Sequence, residues 1–277
     1  MATAKVSIQG YEGCFHQVAA QQYFGKEVEI ISCATFREVI KIASNKKEST
    51  GGVMAIENSI AGSILPNYTL LQKSNLKIIG EVYLPIKQHL LVNPGVKLED
   101  IREVHSHNMA IQQCMEYLDK YEWKLVATDD TALSAKLIHQ HRSKYIAGIA
   151  SKLAADLFQL EILVPNIHTQ KNNYTRFLIL QRTEDALKVP DANKASVNFE
   201  TDHSKGSLAK VLTKIAEGGI NLSKLQSSPI AGTNFKYSFY ADMEFNNLDQ
   251  FNKVMEVMKP LVAMIKVYGV YKNGKQA

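Results

Sequence analysis

The stretch Ser207-Leu208-Ala209-Lys210-Val211-Leu212-Thr213-Lys214-Ile215-Ala216-Glu217-Gly218-Gly219 carries its apolar residues at 208, 211, 212, 215 and 216. That is the i, i+3, i+4, i+7, i+8 stripe of one helix face. Gly218 and Gly219 stop the helix, because glycine enters the left-handed conformation of a C-terminal cap at no steric cost. Just before it, Ala195, Val197 and Phe199 alternate with polar residues, which predicts a strand over 195–200. After it come two strands that pair with each other, 220–225 and 235–245. A second helix follows, marked by Leu248, Phe251, Val254, Met255 and Met258 and ended by Pro260, and then a last strand over 264–271. The order βαββαβ within about 80 residues is the ferredoxin-like α+β arrangement.

Strands and helices alternate through the rest of the chain, which predicts an α/β layer architecture. Strands are expected at 6–8, 27–32, 52–56, 76–82, 89–92, 102–105, 124–127, 144–149 and 176–180. Helices are expected at 15–23, 36–44, 109–118, 131–138 and 151–158. The polar run 183–194, with Pro190 inside it, reads as a linker. The chain therefore divides into 1–182, the linker 183–194, and 195–277.

Composition narrows the function classes. Of 277 residues, 45% are hydrophobic and 21% charged, ordinary for a soluble globular protein. The 32 basic and 27 acidic residues leave a net charge of +5 with no dense basic cluster, so no nucleic-acid groove is expected. The three cysteines, Cys14, Cys33 and Cys114, are widely spaced and suggest neither a disulfide framework nor a zinc site. The N-terminal residues lack the apolar core of a signal peptide, and no run reaches a membrane-spanning length. The expectation is a cytoplasmic protein with no membrane contact, no metal and no cofactor. Neither a dinucleotide fingerprint nor a P-loop, a G-x-S-x-G elbow or an H-E-x-x-H pattern occurs.

Three polar stretches fall at strand ends, where open α/β sheets bind ligands. Glu57-Asn58-Ser59 follows a buried run and offers a carboxylate, an amide and a hydroxyl; on spacing alone a turn with a helix cap explains it better. His105-Ser106-His107-Asn108 lies between a strand and a helix, where Ser106 would cap the helix and its amides would suit an anion. Asn172-Asn173-Tyr174-Thr175-Arg176-Phe177 opens a strand. Successive strand residues face opposite ways, so within a regular strand Thr175 or Arg176 faces a cleft, and at a frayed start both do. The turn Gly10-Tyr11-Glu12-Gly13 brings further backbone amides close to the first helix.

Taken in order, these stretches resemble the prephenate dehydratase family over essentially the whole chain. The resemblance rests on Gly10-x-x-Gly13-x-Phe15, Ile56-Glu57-Asn58-Ser59 with Gly62, Val104-His105-Ser106-His107, Asp130-Thr131-Ala132, Ile149-Ala150-Ser151 and Asn173-Tyr174-Thr175-Arg176-Phe177. The C-terminal part is similar to an ACT domain through Gly206-Ser207-Leu208 and Gly219-Ile220-Asn221-Leu222. The resemblance implies a two-lobed catalytic region similar in topology to periplasmic binding proteins. One lobe would hold about 1–80 with 166–182 and the other about 82–165. It also implies dehydration and decarboxylation of prephenate to phenylpyruvate without a cofactor, in phenylalanine synthesis. Thr175, Arg176, Glu57 and His107 would then be catalytic, with Thr175 assisting the leaving hydroxyl and Arg176 pairing with a substrate carboxylate. Asn58, Ser59, Ser106, Phe177 and Gly13 would bind substrate. Gly206, Ser207, Leu208, Ala209, Asn221, Leu222, Gln226 and Ser227 would bind an L-phenylalanine effector, in a homodimer or homotetramer built through the ACT domains.

The chain departs from that pattern in places. Asn108-Met109 stands where the family has Pro-Gln, so Gln112 or Gln113 would have to supply the lost polar contact. Thr169 stands for an acidic residue, and Gln226-Ser227-Ser228-Pro229 for Glu-Ser-Arg-Pro. Arogenate dehydratase, with an amino group on the substrate arm, is an alternative reading. A non-catalytic binding protein or a regulatory ACT protein is another.

Overall fold

The fold comes from a computed structural model that describes residues 3–230, 232–234 and 236–274. Met1 and Ala2 of the N-terminal stretch, and Phe235 at the start of one expected strand, lie outside the described residues. The chain forms two compact units. One comprises 1–74 with 82–178, and the other 75–81 with 179–277.

The first unit holds two sheets. Its first sheet is built from β1 (Lys5–Gln9), β2 (Glu29–Cys33), β3 (Gly51–Asn58), β4 (Gly62–Ser63), β5 (Leu76–Pro85) and β11 (Tyr174–Arg182), in the order β2-β1-β3-β11-β5 with β4 on β3. Both β5 and β11 run on into the second unit. The contacts β1–β2 and β1–β3 are parallel, as right-handed crossovers through α1 (Phe15–Phe24) and α2 (Phe36–Ala43) require. A capping box fixes where α2 starts: Thr35 accepts from the Glu38 N–H, and the Glu38 carboxylate accepts from the Thr35 N–H. The helix α3 (Leu65–Gln72) was not expected. It has Pro66 in its first turn and a buried Asn67 whose side chain donates to the Ala55 carbonyl, so its apolar stripe is broken.

The second sheet has the order β10-β6-β9-β7-β8, from β6 (His89–Val92), β7 (Glu103–His107), β8 (Lys124–Thr128), β9 (Ile146–Ala150) and β10 (Glu161–Val164). Its helices are α4 (Asn108–Gln113), α5 (Met115–Leu118), α6 (Thr131–Gln140) and α7 (Lys152–Leu157). The single helix expected over 109–118 is two. Cys114 leaves helical geometry at φ −113°, ψ 6°, and its N–H bonds three residues back, to Ile111. The apolar spacing survives the break because Ile111, Cys114 and Leu118 all enter the same core.

The second unit contains β12 (Lys194–Glu200), α8 (Ser207–Glu217), β13 (Asn221–Pro229), β14 (Tyr237–Glu244), α9 (Leu248–Met258) and β15 (Met264–Tyr271). They form an antiparallel sheet of order β13-β14-β12-β15, the split βαββαβ pattern. Alternation along β12 sends Ala195, Val197 and Phe199 into a core with Val211, Ile215, Phe251 and Met258. It sends Lys194, Ser196 and Asn198 to the other face. There Lys194 Nζ pairs with Glu81 at 2.9 Å, and both side chains are fully buried. The Gly274 N–H also donates to Glu81. Gly269 admits the same segment: a Cβ there would stand 2.1 Å from the Ile78 carbonyl oxygen.

Two expectations follow. Removing one member of a buried ion pair strands the other charge, which costs about 3–5 kcal/mol. Lys194→Met should therefore lower the unfolding free energy by that amount in urea, and Glu81→Leu combined with it should recover most of the loss. Additive losses in the double variant would show that the pair is not coupled. The second expectation concerns His16 on α1. It accepts the Ala55 N–H at 3.2 Å and meets the Phe177 ring edge-on at 4.9 Å. Burial lowers its pKa from 6.5 to about 3. Below pH 6.5 the unfolded chain takes up a proton that the folded chain refuses. Stability from neutral His16 is therefore complete above pH 6.5 and drains, by about 1.4 kcal/mol per pH unit, as pH falls toward 3. His16→Gln should flatten that acid limb; an unchanged slope in urea midpoints against pH would assign the loss to other groups.

Candidate active site

The end of β3 and the start of β11 meet at Asn58. Its amide oxygen accepts the N–H groups of Ile60 and Ala61, at 3.0 and 2.9 Å, which fixes which way the amide points. Its Nδ2 then donates to Asn173 Oδ1 at 2.7 Å and Thr175 Oγ1 at 3.0 Å, with the Tyr174 carbonyl at 3.2 Å. Ser59 completes the joint: its hydroxyl donates to the Asn172 carbonyl and accepts the Tyr174 N–H. Ser59 thus locks two segments together and is absent from the lining of the adjoining cavity.

That cavity holds about 300 Å³ within the first unit and is lined by residues of both its sheets and their helices. Asn58, His107, Thr175 and Phe177 line it, as do Cys14, Phe15, His16, Gln88, Met109, Gln113, Asp129 and Asp130. Strand alternation decides between the two residues at the start of β11. Thr175 and Phe177 face the cavity, while Arg176 takes the opposite face, 5% exposed, with its guanidinium 5.9 Å from the centre of the Tyr83 ring. The regular strand begins at Tyr174, so the fraying that would have brought both into a cleft does not occur.

Ser106 also departs from expectation. It is fully buried, and its hydroxyl donates to the Ile149 carbonyl at 2.6 Å, tying β7 to β9. The helix cap is His107 instead, whose Nδ1 accepts the Met109 N–H at 3.3 Å. Glu57 is half-buried at the end of β3, opposite Ser63, and does not line the cavity. Gly13 has φ +90°, and its carbonyl accepts the Ser151 hydroxyl at 2.7 Å. A Cβ on Gly13 would stand 3.0 Å from Ala154 Cα, so its lack of a side chain lets the first turn approach α7.

Several cavity residues were not among the site residues expected from the sequence. Gln88 sits between β5 and β6, 3% exposed, with a side-chain oxygen that has no partner. Gln113 lies near Met109 and supplies an amide where Met109 has none. Asp130 caps α6, accepting the N–H groups of Ala132 and Leu133 at 2.7 and 2.9 Å. Burial pushes its carboxyl above the usual range, against the pull of those two N–H groups and of His107. The N-terminus of the ten-residue helix α1 opens on the cavity through Cys14 and Phe15, with no side chain capping it. Burial pushes the Cys14 thiol up to about 12, so it is not a thiolate nucleophile near neutral pH.

The expected effector residues lie in the second unit. Gly206, at φ +79°, precedes α8, and the Ser207 hydroxyl donates to Thr201 Oγ1 at 3.0 Å. Leu208 and Leu222 pack on the core, and Ala209 is exposed. Asn221 donates to Glu244, while the Gln226 amide donates to the Ser227 carbonyl, with Ser227 exposed. Asn221, Leu222, Gln226 and Ser227 belong to β13, an edge strand of its sheet.

The family model for prephenate dehydratase matches residues 6–185. A bifunctional chorismate mutase/prephenate dehydratase from Enterobacter agglomerans is 30% identical over 97% of this chain and 70% of its own length. The chloroplastic arogenate dehydratase/prephenate dehydratase 1 of Arabidopsis thaliana is 34% identical over 96% of this chain and 71% of its own. Among solved structures, GqqA, described as a novel type of quorum quenching acylase, superposes with a TM-score of 0.87 at 27% identity, over 97% of this chain and 98% of that one. With the model spanning more than half of the residues, and with this chain aligned over nearly its whole length to relatives at 30% identity or more, the chain belongs to the prephenate dehydratase family.

Proposed function

We propose that the chain dehydrates and decarboxylates prephenate to phenylpyruvate in the cleft of its first unit, as an enzyme of phenylalanine synthesis. The observation that carries the proposal is the bond from Asn58 Nδ2 to Thr175 Oγ1. Because Asn58 donates, the Thr175 oxygen accepts, and its own hydrogen is left to donate to a ligand. Loss of the ring carboxylate as CO2 sends an electron pair through the ring, which expels the ring hydroxyl. Aromatisation drives the step, so no electron sink is needed. The difficult part is the departure of hydroxide, which a hydrogen bond or a proton assists. Thr175 is the donor to that oxygen. A threonine hydroxyl is a poor acid, so its contribution is a polarised hydrogen bond, with His107 on the same cavity as the group able to carry a proton.

The uncapped start of α1 is the seat for a substrate carboxylate, through its amides and the helix dipole. Arg176, on the far face of β11, acts through the position of the strand and not by touching substrate. Phe177 and His16 form an apolar wall that holds the ring, and Asn58 orients Thr175. The activity named for GqqA requires a nucleophile or an activated water. The buried Cys14 does not serve as that nucleophile.

The second unit is read as an ACT domain, with the linker 183–194 ahead of it and L-phenylalanine as its effector. The sheet order and the exposed polar residues of β13 support that reading. An edge strand of nine residues also offers a surface for a second copy, which fits a homo-oligomer. No helix among the described residues is long and apolar enough to cross a membrane.

Two outcomes test the reading. Thr175→Ala should lower kcat for phenylpyruvate formation about 10²-fold or more, while Thr175→Ser retains most of the rate. Near-normal turnover by the alanine variant would remove Thr175 from the chemistry. Adding L-phenylalanine should suppress turnover by the wild-type protein. Turnover that ignores it would show that the changes at Gln226 and Ser228 have cost the effector site its ligand.

A further inference from the structure

We propose that Asp130 is a specificity-determining residue of the cleft: its carboxylate favours a substrate whose side arm carries a protonated amine over one whose arm carries a keto group. This rests on the dehydratase reading and names the substrate class within it.

The argument begins with how the two carboxylate oxygens are used. Oδ1 takes both N–H bonds of the α6 cap. Oδ2 plays no part in that cap and lies beside Gly10, 3.1 Å from where a Cβ would stand. Gly10 has φ +103° and no side chain, which leaves that oxygen room.

The charge balance of the cavity points the same way. Its described lining includes Asp129 and Asp130 but no lysine or arginine. His16, its pKa lowered by burial to about 3, is neutral near pH 7 and brings no charge. Asp130 is thus a partly buried acid whose carboxyl is pushed up by burial, against the pull of two N–H groups and of His107. An ammonium brought beside it would compensate its burial, whereas a second carboxylate or an electron-rich keto oxygen would add repulsion.

Gln88 is a second, independent observation. Its main chain is engaged, with the N–H donating to His168 Nδ1 and the carbonyl accepting the Ile167 N–H. Its side-chain oxygen is buried on the same cavity without a partner. An unmet acceptor in a buried place is costly and calls for a donor. An ammonium has three N–H donors and no acceptor, while a keto group has acceptors only. Both features therefore suit an amino arm, and the uncapped start of α1 remains for a carboxylate.

The bland alternative is that Asp130 is a helix cap and nothing more. Asparagine caps a helix as well as aspartate does but carries no charge. The two readings therefore separate in one experiment: kcat/KM measured with prephenate and with arogenate, for wild type and Asp130→Asn. The two substrates differ only in a keto or an amino group on the arm. Wild type should turn over arogenate as well as prephenate. Asp130→Asn should lower the ratio of kcat/KM for arogenate to that for prephenate about tenfold to a hundredfold, the value of one charge-assisted hydrogen bond. Equal losses on both substrates, or no loss on either, would overturn the inference while leaving the dehydratase reading intact. So would a wild type that turns over prephenate but not arogenate. Turnover of neither substrate by wild type would overturn the dehydratase reading and this inference with it. If Asp130→Asn does not fold by circular dichroism, Asp130→Ser, also a good cap, takes its place with the same expected outcomes.

Discussion

The active cleft depends on one side chain, that of Asn58. A strand ending in a loop has backbone groups to satisfy and no ladder to satisfy them. Asn58 meets that need on one side, accepting two N–H groups from its own loop. With its other end it reaches a segment more than a hundred residues away and holds Asn173 and Thr175. The donor direction at Thr175 is then a consequence of backbone bookkeeping at the end of β3. Neither residue alone defines how the Thr175 hydroxyl is held. An amide pinned at one end and donating at the other does.

Around that joint the cavity is arranged by opposition. Apolar surfaces from Phe177, Phe36 and Ile86 favour a ring, while polar groups stand at the ends of helices and strands. The neutrality of His16 belongs to the apolar set: its burial makes an imidazole behave as a hydrogen-bonded aromatic wall. The polar set comes from chain ends because those are where backbone groups lack partners. This distribution suits a reaction in which an apolar ring forms from a charged, polar precursor.

Much of this was legible in the sequence. The stripe at 208, 211, 212, 215 and 216 and the alternation at 195, 197 and 199 give the second unit directly, because each element has one buried face. Thr175 and Asn58 were legible as polar residues at strand ends. Arg176 was not, because alternation says that neighbours part company but not which of them faces the cleft. Ser106 misled because the same residue type caps helices and ties strands, and burial chose the second role. Asp130, quoted only within the resemblance at 130–132, and Gln88 were not singled out as site residues, for a different reason. One looks like any helix cap and the other like any linker residue, and only folding brings them to one cavity. The helix α3 was missed because its register is set by the contact from Asn67 to Ala55 and not by an apolar stripe.

The burial of Glu81 against Lys194 also bears on modularity. The polar run near residue 190 invites the view that the two units are beads on a string, to be recombined or inherited separately. The segment 75–81 belongs with the second unit although it lies a hundred residues upstream of that run. A gene fragment ending at the linker would carry Glu81 away without the lysine that neutralises it, and would carry Ile78 away from the glycine that makes room for it. Either piece alone inherits a debt owed by the other. Such an arrangement makes the chain hard to cut or to shuffle, and it ties sequence drift at position 81 to drift at position 194.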